Sequence, residues 1–129
     1  MEDGKWIREE ADMIKLQFPD LWGRLKSVEI PGQRKGELKC RPASVEASAV
    51  LGDHVADKTR FFLKPDWETE ICMAWEAGAG ETSGVLCSLT DSDEKPVWCD
   101  SREILKQTLR RLSGEGIEFQ VRLKCEFFL

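Results

Sequence analysis

The chain has 129 residues, and its 19 Lys and Arg against 24 Asp and Glu give a formal net charge of −5. This length allows one domain with a modest hydrophobic core and a small part of another. Positive and negative residues are interspersed instead of forming a basic stripe, so nucleic-acid binding is disfavoured.

The distribution of apolar residues argues against membrane insertion and secretion. No stretch approaches the roughly 18 to 20 apolar residues of a membrane span. The acidic start Met1-Glu2-Asp3 is unlike a secretory signal peptide. We therefore expect a cytoplasmic location.

Cysteine and histidine usage argues against a disulfide framework and against zinc. The five cysteines show no Cys-x-x-Cys spacing, and the single histidine is His54, in a polar stretch. Reduced thiols, buried or half-buried, are expected, and His54 is expected in a solvated loop.

The N-terminal third predicts a helix followed by a hairpin. Ile7, Ala11 and Ile14 have the spacing of an amphipathic helix over about residues 5–15. Alternating runs at 15–18 and 25–30 then flank a Gly-bearing turn, as in a β-hairpin.

The middle of the chain predicts short elements. A short helix is expected at 33–39, and strands at 45–50, 59–64 and 84–90. The small-residue stretch at 77–83 lacks the Gly-Lys-Ser/Thr ending of a phosphate-binding loop, so a flexible connector is expected there.

A charged turn precedes the C-terminal helix. Asp91 and Asp93 have calcium-like spacing, but no loop glycine follows Asp93 and no glutamate closes a twelve-residue loop, so calcium binding is disfavoured. Asp100, with Glu103 three residues later, predicts a helix start.

The apolar face of that helix carries Ile104, Leu105, Thr108, Leu109 and Leu112. Gly114 or Gly116 is expected to end it, and a final strand is expected at 117–129.

The order of these elements predicts an α+β fold with a mixed sheet. Aromatic residues at six positions are expected in the core of the sheet: Phe18, Trp22, Phe61, Phe62, Trp75 and Trp98.

Several blocks of sequence occur in an order similar to that of a known family. They are Phe-Pro-Asp-Leu-Trp-Gly at 18–23, Leu-Lys-Pro-Asp-Trp-Glu-Thr at 63–69, Leu-Cys-Ser-Leu-Thr-Asp at 86–91, Asp-Ser-Arg-Glu-Ile-Leu at 100–105 and Glu-Phe-Phe-Leu at 126–129. Together they resemble the N-terminal part of the glutamine synthetase family.

This resemblance implies two regions. Residues 1–98 would form a glutamine synthetase-type β-grasp domain with an N-terminal helix. Residues 99–129 would form the linker helix and the first strand of a truncated catalytic domain.

The family resemblance also implies an activity. It is an ATP-dependent ligase that joins ammonia or an amine to the glutamate γ-carboxylate, with Mg²⁺ or Mn²⁺ and ATP as cofactors and other synthetase subunits as partners. No cofactor is expected to bind this chain alone, and no ligase activity is expected from it.

Two carboxylates align with functional positions of the family. Glu46 takes the place of an aspartate in a loop that, in the family, reaches a neighbouring subunit's active site. The glutamate side chain is one methylene longer than that of aspartate. Glu126 takes the place of the second glutamate in the metal-binding Glu-x-Glu, while Lys124 replaces the first. An ammonium group has no lone pair for a metal and repels one.

Other interpretations remain open. Without the resemblance, Glu46 is an ordinary strand-end charge and Glu126 a solvated carboxylate. The chain could also be a non-catalytic β-grasp module, or a remnant, that binds synthetase subunits. Its apolar C-terminal strand, if unpaired, predicts self-association or docking onto an intact synthetase.

Overall fold

The structure is a computed structural model that describes residues 11–52, 59–76 and 80–128. Within these residues, six strands form one mixed sheet. The strands are β1 (Met13–Pro19), β2 (Leu25–Pro31), β3 (Ser44–Glu46), β4 (Arg60–Pro65), β5 (Ile71–Cys72) and β6 (Thr82–Thr90). The helices are α1 (Ser48–Leu51), α2 (Ser101–Gly114) and three 3-10 helices at Gly32–Lys39, Trp67–Thr69 and Ala74–Glu76.

The long strand β6 organises the sheet. It pairs in parallel with β1, which pairs antiparallel with the edge strand β2. Along its other edge, β6 pairs antiparallel first with β5 and then with β4, and β4 pairs antiparallel with β3. The expected α+β class, with a β-grasp-like mixed sheet, is confirmed.

One face of the sheet carries the core. Alternate residues of the central strands point to this face and are buried: Ile14, Leu16, Phe18, Phe61, Leu63, Val85, Cys87 and Leu89. The 3-10 helix at Gly32–Lys39 contributes Leu38, and α1 contributes Val50. This period-2 burial is the reason why these segments are strands, since each pairs with a neighbour while burying every second side chain.

The β1–β2 turn is organised by Asp20. Its Oδ1 accepts hydrogen bonds from the backbone N–H groups of Trp22 at 2.9 Å and Arg24 at 2.8 Å. Gly23 has a positive φ of 78°, which glycine adopts without steric cost. Burial by itself would raise the pKa of Asp20, but these two N–H groups and the nearby Lys26 and Arg24 charges lower it on balance.

Helix α2 begins and ends at the predicted signals. The Asp100 side chain accepts from the N–H groups of Arg102 and Glu103 at its start. At its end, Gly116 has φ 77°, Gly116 N–H donates to Ser113 O, and Ile117 N–H donates to Leu112 O. This is a Schellman motif, which confirms Gly116 as the stop.

The apolar face of α2 is not packed against the sheet core. None of its side chains is fully buried by the described residues, and Ile104 and Leu105 are more than half exposed. The expected final strand at 117–129 is also wrong for residues 117–128, which form neither helix nor strand. No described strand pairs with them, and a strand needs a neighbour for its backbone hydrogen bonds.

Three further element predictions need correction. Met13 to Lys15, expected at the end of a helix, belong to β1, and residues 5–10 of that helix lie outside the described residues. The strand expected at 45–50 ends at Glu46, because α1 follows it. Thr82 and Ser83, expected in a connector, begin β6. His54 and residues 77–79 also lie outside the described residues.

The aromatic prediction is only partly correct. Phe18 and Phe61 are buried, whereas Trp22, Trp75 and Trp98 are mostly exposed, Trp98 at 75%. These three lie in turns and 3-10 segments outside the sheet ladder, where alternation gives no guide to burial.

The described cysteines are free thiols, with Cys87 and Cys99 buried and Cys40, Cys72 and Cys125 exposed. No described helix is both long and apolar enough to cross a membrane.

Candidate functional site

Glu46 lies at a strand end. It is the last residue of β3, opposite Arg60 of β4, and it is exposed. Ala47 N–H donates to Thr59 O at 2.8 Å, and the chain then enters α1. The structure thus places Glu46 on the edge strand β3, where its carboxylate faces solvent.

Lys124 and Glu126 form an ion pair in the segment after α2. Lys124 Nζ lies 2.7 Å from Glu126 Oε1, and both side chains are largely exposed. The Glu126 carboxylate, expected to hold a metal, is therefore paired with the ammonium group of Lys124. Side chains two residues apart share one side of an extended backbone, which is the geometry that a Glu-x-Glu pair needs.

The residues present do not fit a divalent metal. Within residues 11–52, 59–76 and 80–128, no group of three or more His, Cys, Asp or Glu side chains could hold a metal ion. Mg²⁺ and Mn²⁺ prefer several oxygen ligands, and Glu126 offers one carboxylate, already paired with a cation. Glu46 and Glu126 also lie on separate elements, β3 and the segment after α2.

A charged cluster joins α2 to the sheet. Asp66 follows β4, and its Oδ2 accepts from Arg102 at 2.5 Å and from Lys106 at 3.1 Å. Arg102 also donates to Ser88 Oγ of β6 at 3.1 Å. The hydrogen bonds from Arg102 and Lys106 hold the pKa of Asp66 below its usual value.

Asp100 links α2 to the core more directly. Its carboxylate is buried, and Oδ2 accepts from the backbone N–H of Leu89 at 2.8 Å while Oδ1 caps the helix. One side chain thus holds the first turn of α2 against β6.

Sequence reasoning identified Asp100 as a cap but missed the contacts of Asp66 and Arg102. A signal was available, because both residues lie within the blocks that carried the family resemblance, at 63–69 and 100–105. Their pairing was not visible because it joins residues far apart in sequence.

A groove of about 390 Å³ lies beside the 3-10 helix at Gly32–Lys39. Lys35 Nζ lies 2.6 Å from Glu70 Oε2 and 4.6 Å from the centre of the Trp67 ring. Ser83 Oγ donates to Glu70 Oε1 at 3.1 Å. Lys35 and Glu70, two of the charged residues that line the groove, are thus paired with each other.

Comparisons with known proteins agree on one family. No family model matches the chain. A glutamine synthetase of Staphylococcus epidermidis is 30% identical over 122 residues, which cover 94% of this chain and 27% of that protein. A glutamine synthetase of Staphylococcus aureus is 28% identical over 131 residues, which cover 99% of this chain and 29% of that protein.

Solved structures share the fold. The GmaS/ADP complex matches 83% of this chain and 24% of its own, with a TM-score of 0.70 and 19% identity. The Plasmodium falciparum glutamine synthetase matches 89% of this chain and 21% of its own, with a TM-score of 0.70 and 19% identity.

The chain spans about a quarter of the length of the curated relatives it matches. The match nevertheless covers nearly all of this chain. Four of the five blocks that carried the resemblance, at 18–23, 63–69, 86–91 and 100–105, lie at or beside β1, β4, β6 and α2. The chain is therefore related to the glutamine synthetases along nearly its whole length, which confirms the family resemblance.

Proposed function

We propose that this chain acts as the N-terminal part of a glutamine synthetase-like, ATP-dependent ligase that joins ammonia or an amine to the glutamate γ-carboxylate in the cytoplasm. In this proposal, residues 1–98 make up the β-grasp domain. Residues 99–129 make up the linker helix and the segment that would become the first strand of the catalytic domain once the rest of that domain pairs with it. The observation that carries the proposal is the match of 94% of the chain to a glutamine synthetase.

In this proposal, the catalytic chemistry needs groups from synthetase-like subunits. Glu46, exposed at the end of β3, would present its carboxylate to a neighbouring subunit's active site. In the role that the family resemblance implies, that carboxylate helps bind ammonium and activate it for attack. ATP and Mg²⁺ or Mn²⁺ would be held by the assembled enzyme, since Lys124 and Glu126 do not fit a metal as they stand.

A chimera tests this proposal. This chain replaces the matching segment of the S. epidermidis glutamine synthetase, once with Lys124 and once with Lys124→Glu. Formation of γ-glutamyl hydroxamate from glutamate, ATP and hydroxylamine is measured. We expect the Lys124→Glu chimera to be at least about tenfold more active, because Glu-x-Glu ligation is restored. Assembled chimeras that are both inactive would reject the ligase role.

The Lys124–Glu126 ion pair favours a second candidate function. The Glu126 carboxylate, which the resemblance implies as a metal ligand, lies 2.7 Å from the Lys124 ammonium group. A chain with this ion pair would suit a non-catalytic module that binds synthetase subunits. Co-purification with the intact S. epidermidis enzyme, combined with two inactive chimeras, would support that role. An active chimera that keeps Lys124 would exclude it.

A further inference from the structure

The helix α1, which begins two residues after Glu46, has little stability of its own. It spans only Ser48–Leu51, and its N-cap residue, Ala47, makes no side-chain hydrogen bond to it. Helices shorter than about 12–15 residues are marginal in water without tertiary contacts, so a single turn depends on its neighbours. The contacts of α1 therefore help to decide where the backbone of Glu46 lies.

The turn between β1 and β2 and the start of β2 provide these contacts. The last carbonyl groups of a helix have no hydrogen-bond donor within the helix. In α1, Val50 O accepts from the backbone N–H of Leu21 at 3.1 Å. Ala49 O accepts from Lys26 Nζ at 2.6 Å. Residues 21 and 26 thus satisfy two carbonyl groups at the end of α1.

Packing joins the same two segments. A Cβ atom added to Gly52 would lie 2.7 Å from Cη2 of Trp22, so the indole ring lies directly against the residue that follows α1. The side chain of Val50, within α1, is fully buried. Two hydrogen bonds and one close packing contact therefore connect residues 21–26 with residues 49–52.

Of these three contacts, the one from Lys26 has a charged donor. Lys26 Nζ also lies 3.6 Å from Oδ2 of Asp20, whose side chain is only 1% exposed. Asp20 in turn accepts hydrogen bonds from the backbone N–H groups of Trp22 and Arg24. The ammonium group is thus close both to a buried carboxylate and to the carbonyl end of α1. Hydrogen bonds from charged donors are stronger than those between neutral groups.

On its N-terminal side, Glu46 belongs to a short edge strand. β3 has three residues, and Glu46 is the last of them, opposite Arg60. We propose that Lys26 is a positioning residue for Glu46, because its hydrogen bond to Ala49 O fixes α1 and with it the strand end that carries the carboxylate. This inference rests on the proposed function, in which Glu46 helps bind ammonium.

Amide hydrogen exchange of this chain tests the contact independently of any activity. Lys26→Met keeps an unbranched side chain but removes its charge and its donor groups. The N–H groups of Leu51 and Gly52 should exchange about tenfold faster in this variant, and the buried N–H of Leu89 should not. Lys95→Met, in an exposed turn, is the matched control and should change none of them. No acceleration at Leu51 and Gly52, or an equal one at Leu89, would overturn the proposal.

Steady-state kinetics of the Lys124→Glu chimera test the effect on the reaction. Phosphate release is measured with ammonium, glutamate and ATP varied in turn. Lys26→Met should raise the KM for ammonium by about tenfold and leave the KM for glutamate within about twofold, because Glu46 acts on the amine. A purely structural loss would lower kcat through the fraction of active enzyme and leave both KM values unchanged, which would overturn the proposal.

A double-mutant cycle separates action through Glu46 from an independent effect. In a Glu46→Gln background, Lys26→Met should raise the KM for ammonium no further, because the positioned carboxylate is already gone. Additive effects in the active chimera would overturn this inference and leave the ligase role intact. Assembled chimeras that are inactive with both Lys124 and Lys124→Glu would instead reject the ligase role, and with it the role of Lys26 toward Glu46.

Discussion

Arg102 donates a hydrogen bond from its guanidinium to the Asp66 carboxylate at 2.5 Å, and this contact joins α2 to the end of β4. Because α2 buries none of its side chains fully, its direction depends on a few polar contacts at its first two turns. The orientation of everything after α2, including Lys124 and Glu126, therefore rests on Asp66 and Asp100.

We expect Asp66→Asn to lower the free energy of unfolding at neutral pH by about 1 kcal/mol, because the ionic partner of Arg102 and Lys106 is lost. The pKa of Asp66 is held below its ordinary value of 3.8 in the folded chain. Its stabilising contribution is thus complete above the unfolded-state pKa and disappears as pH falls through the lower folded-state pKa.

Denaturant titrations at several pH values measure this effect. The difference in the free energy of unfolding between the native chain and Asp66→Asn should be constant near neutrality. It should shrink in acid, below pH 3.8. Asp93→Asn is the matched control, because Asp93 is exposed and its nearest cation is 4.0 Å away. A difference that grows in acid would contradict the prediction.

Asp100→Ala should lower the free energy of unfolding by about 2–4 kcal/mol. It removes the N-cap of α2 and leaves the buried N–H of Leu89 without its 2.8 Å partner. Ser101→Ala, one residue later and exposed, should cost less than about 0.5 kcal/mol. Equal losses in the two variants, measured by thermal unfolding, would show that the Asp100 contacts contribute little.

Buried and exposed cysteines should react at different rates with a disulfide reagent. Burial raises the pKa of Cys87 to about 12 and also raises the pKa of Cys99, so little thiolate is available at either site. Cys40, Cys72 and Cys125 are exposed and should react rapidly with a disulfide reagent in the folded chain. A triple Ser variant of these three should show only slow reaction until denaturant is added.

The isolated chain should form no γ-glutamyl hydroxamate and should bind Mn²⁺ no more tightly than a generic carboxylate pair. The family resemblance implies a metal ligand at position 124, where this chain carries the ammonium group of Lys124. Lys124→Glu should tighten Mn²⁺ binding in calorimetry, and Lys124→Glu with Glu126→Gln should abolish the gain. Turnover by the native chain, purified from a host that lacks its own synthetase, would refute the first expectation.

The identities of local elements were available from the sequence alone. Alternation along β4 and β6, the Pro-Asp-Leu-Trp-Gly turn and the Asp100 cap are all short-range signals, because strand pleat, turn dihedrals and helix capping depend on residues a few positions apart. The family resemblance was available for the same reason, since it rested on short blocks in order.

Only the tertiary structure decided which competing local signal prevailed. Ile14 fits both a helical and an alternating pattern, and pairing with β2 and β6 selects the strand. Trp98 is apolar yet exposed, because burial depends on what packs above it. Asp66 meets Arg102 across 36 positions, a contact that no local pattern encodes. The alternation at 117–128 is strong, but a strand forms only where another edge completes its backbone hydrogen bonds.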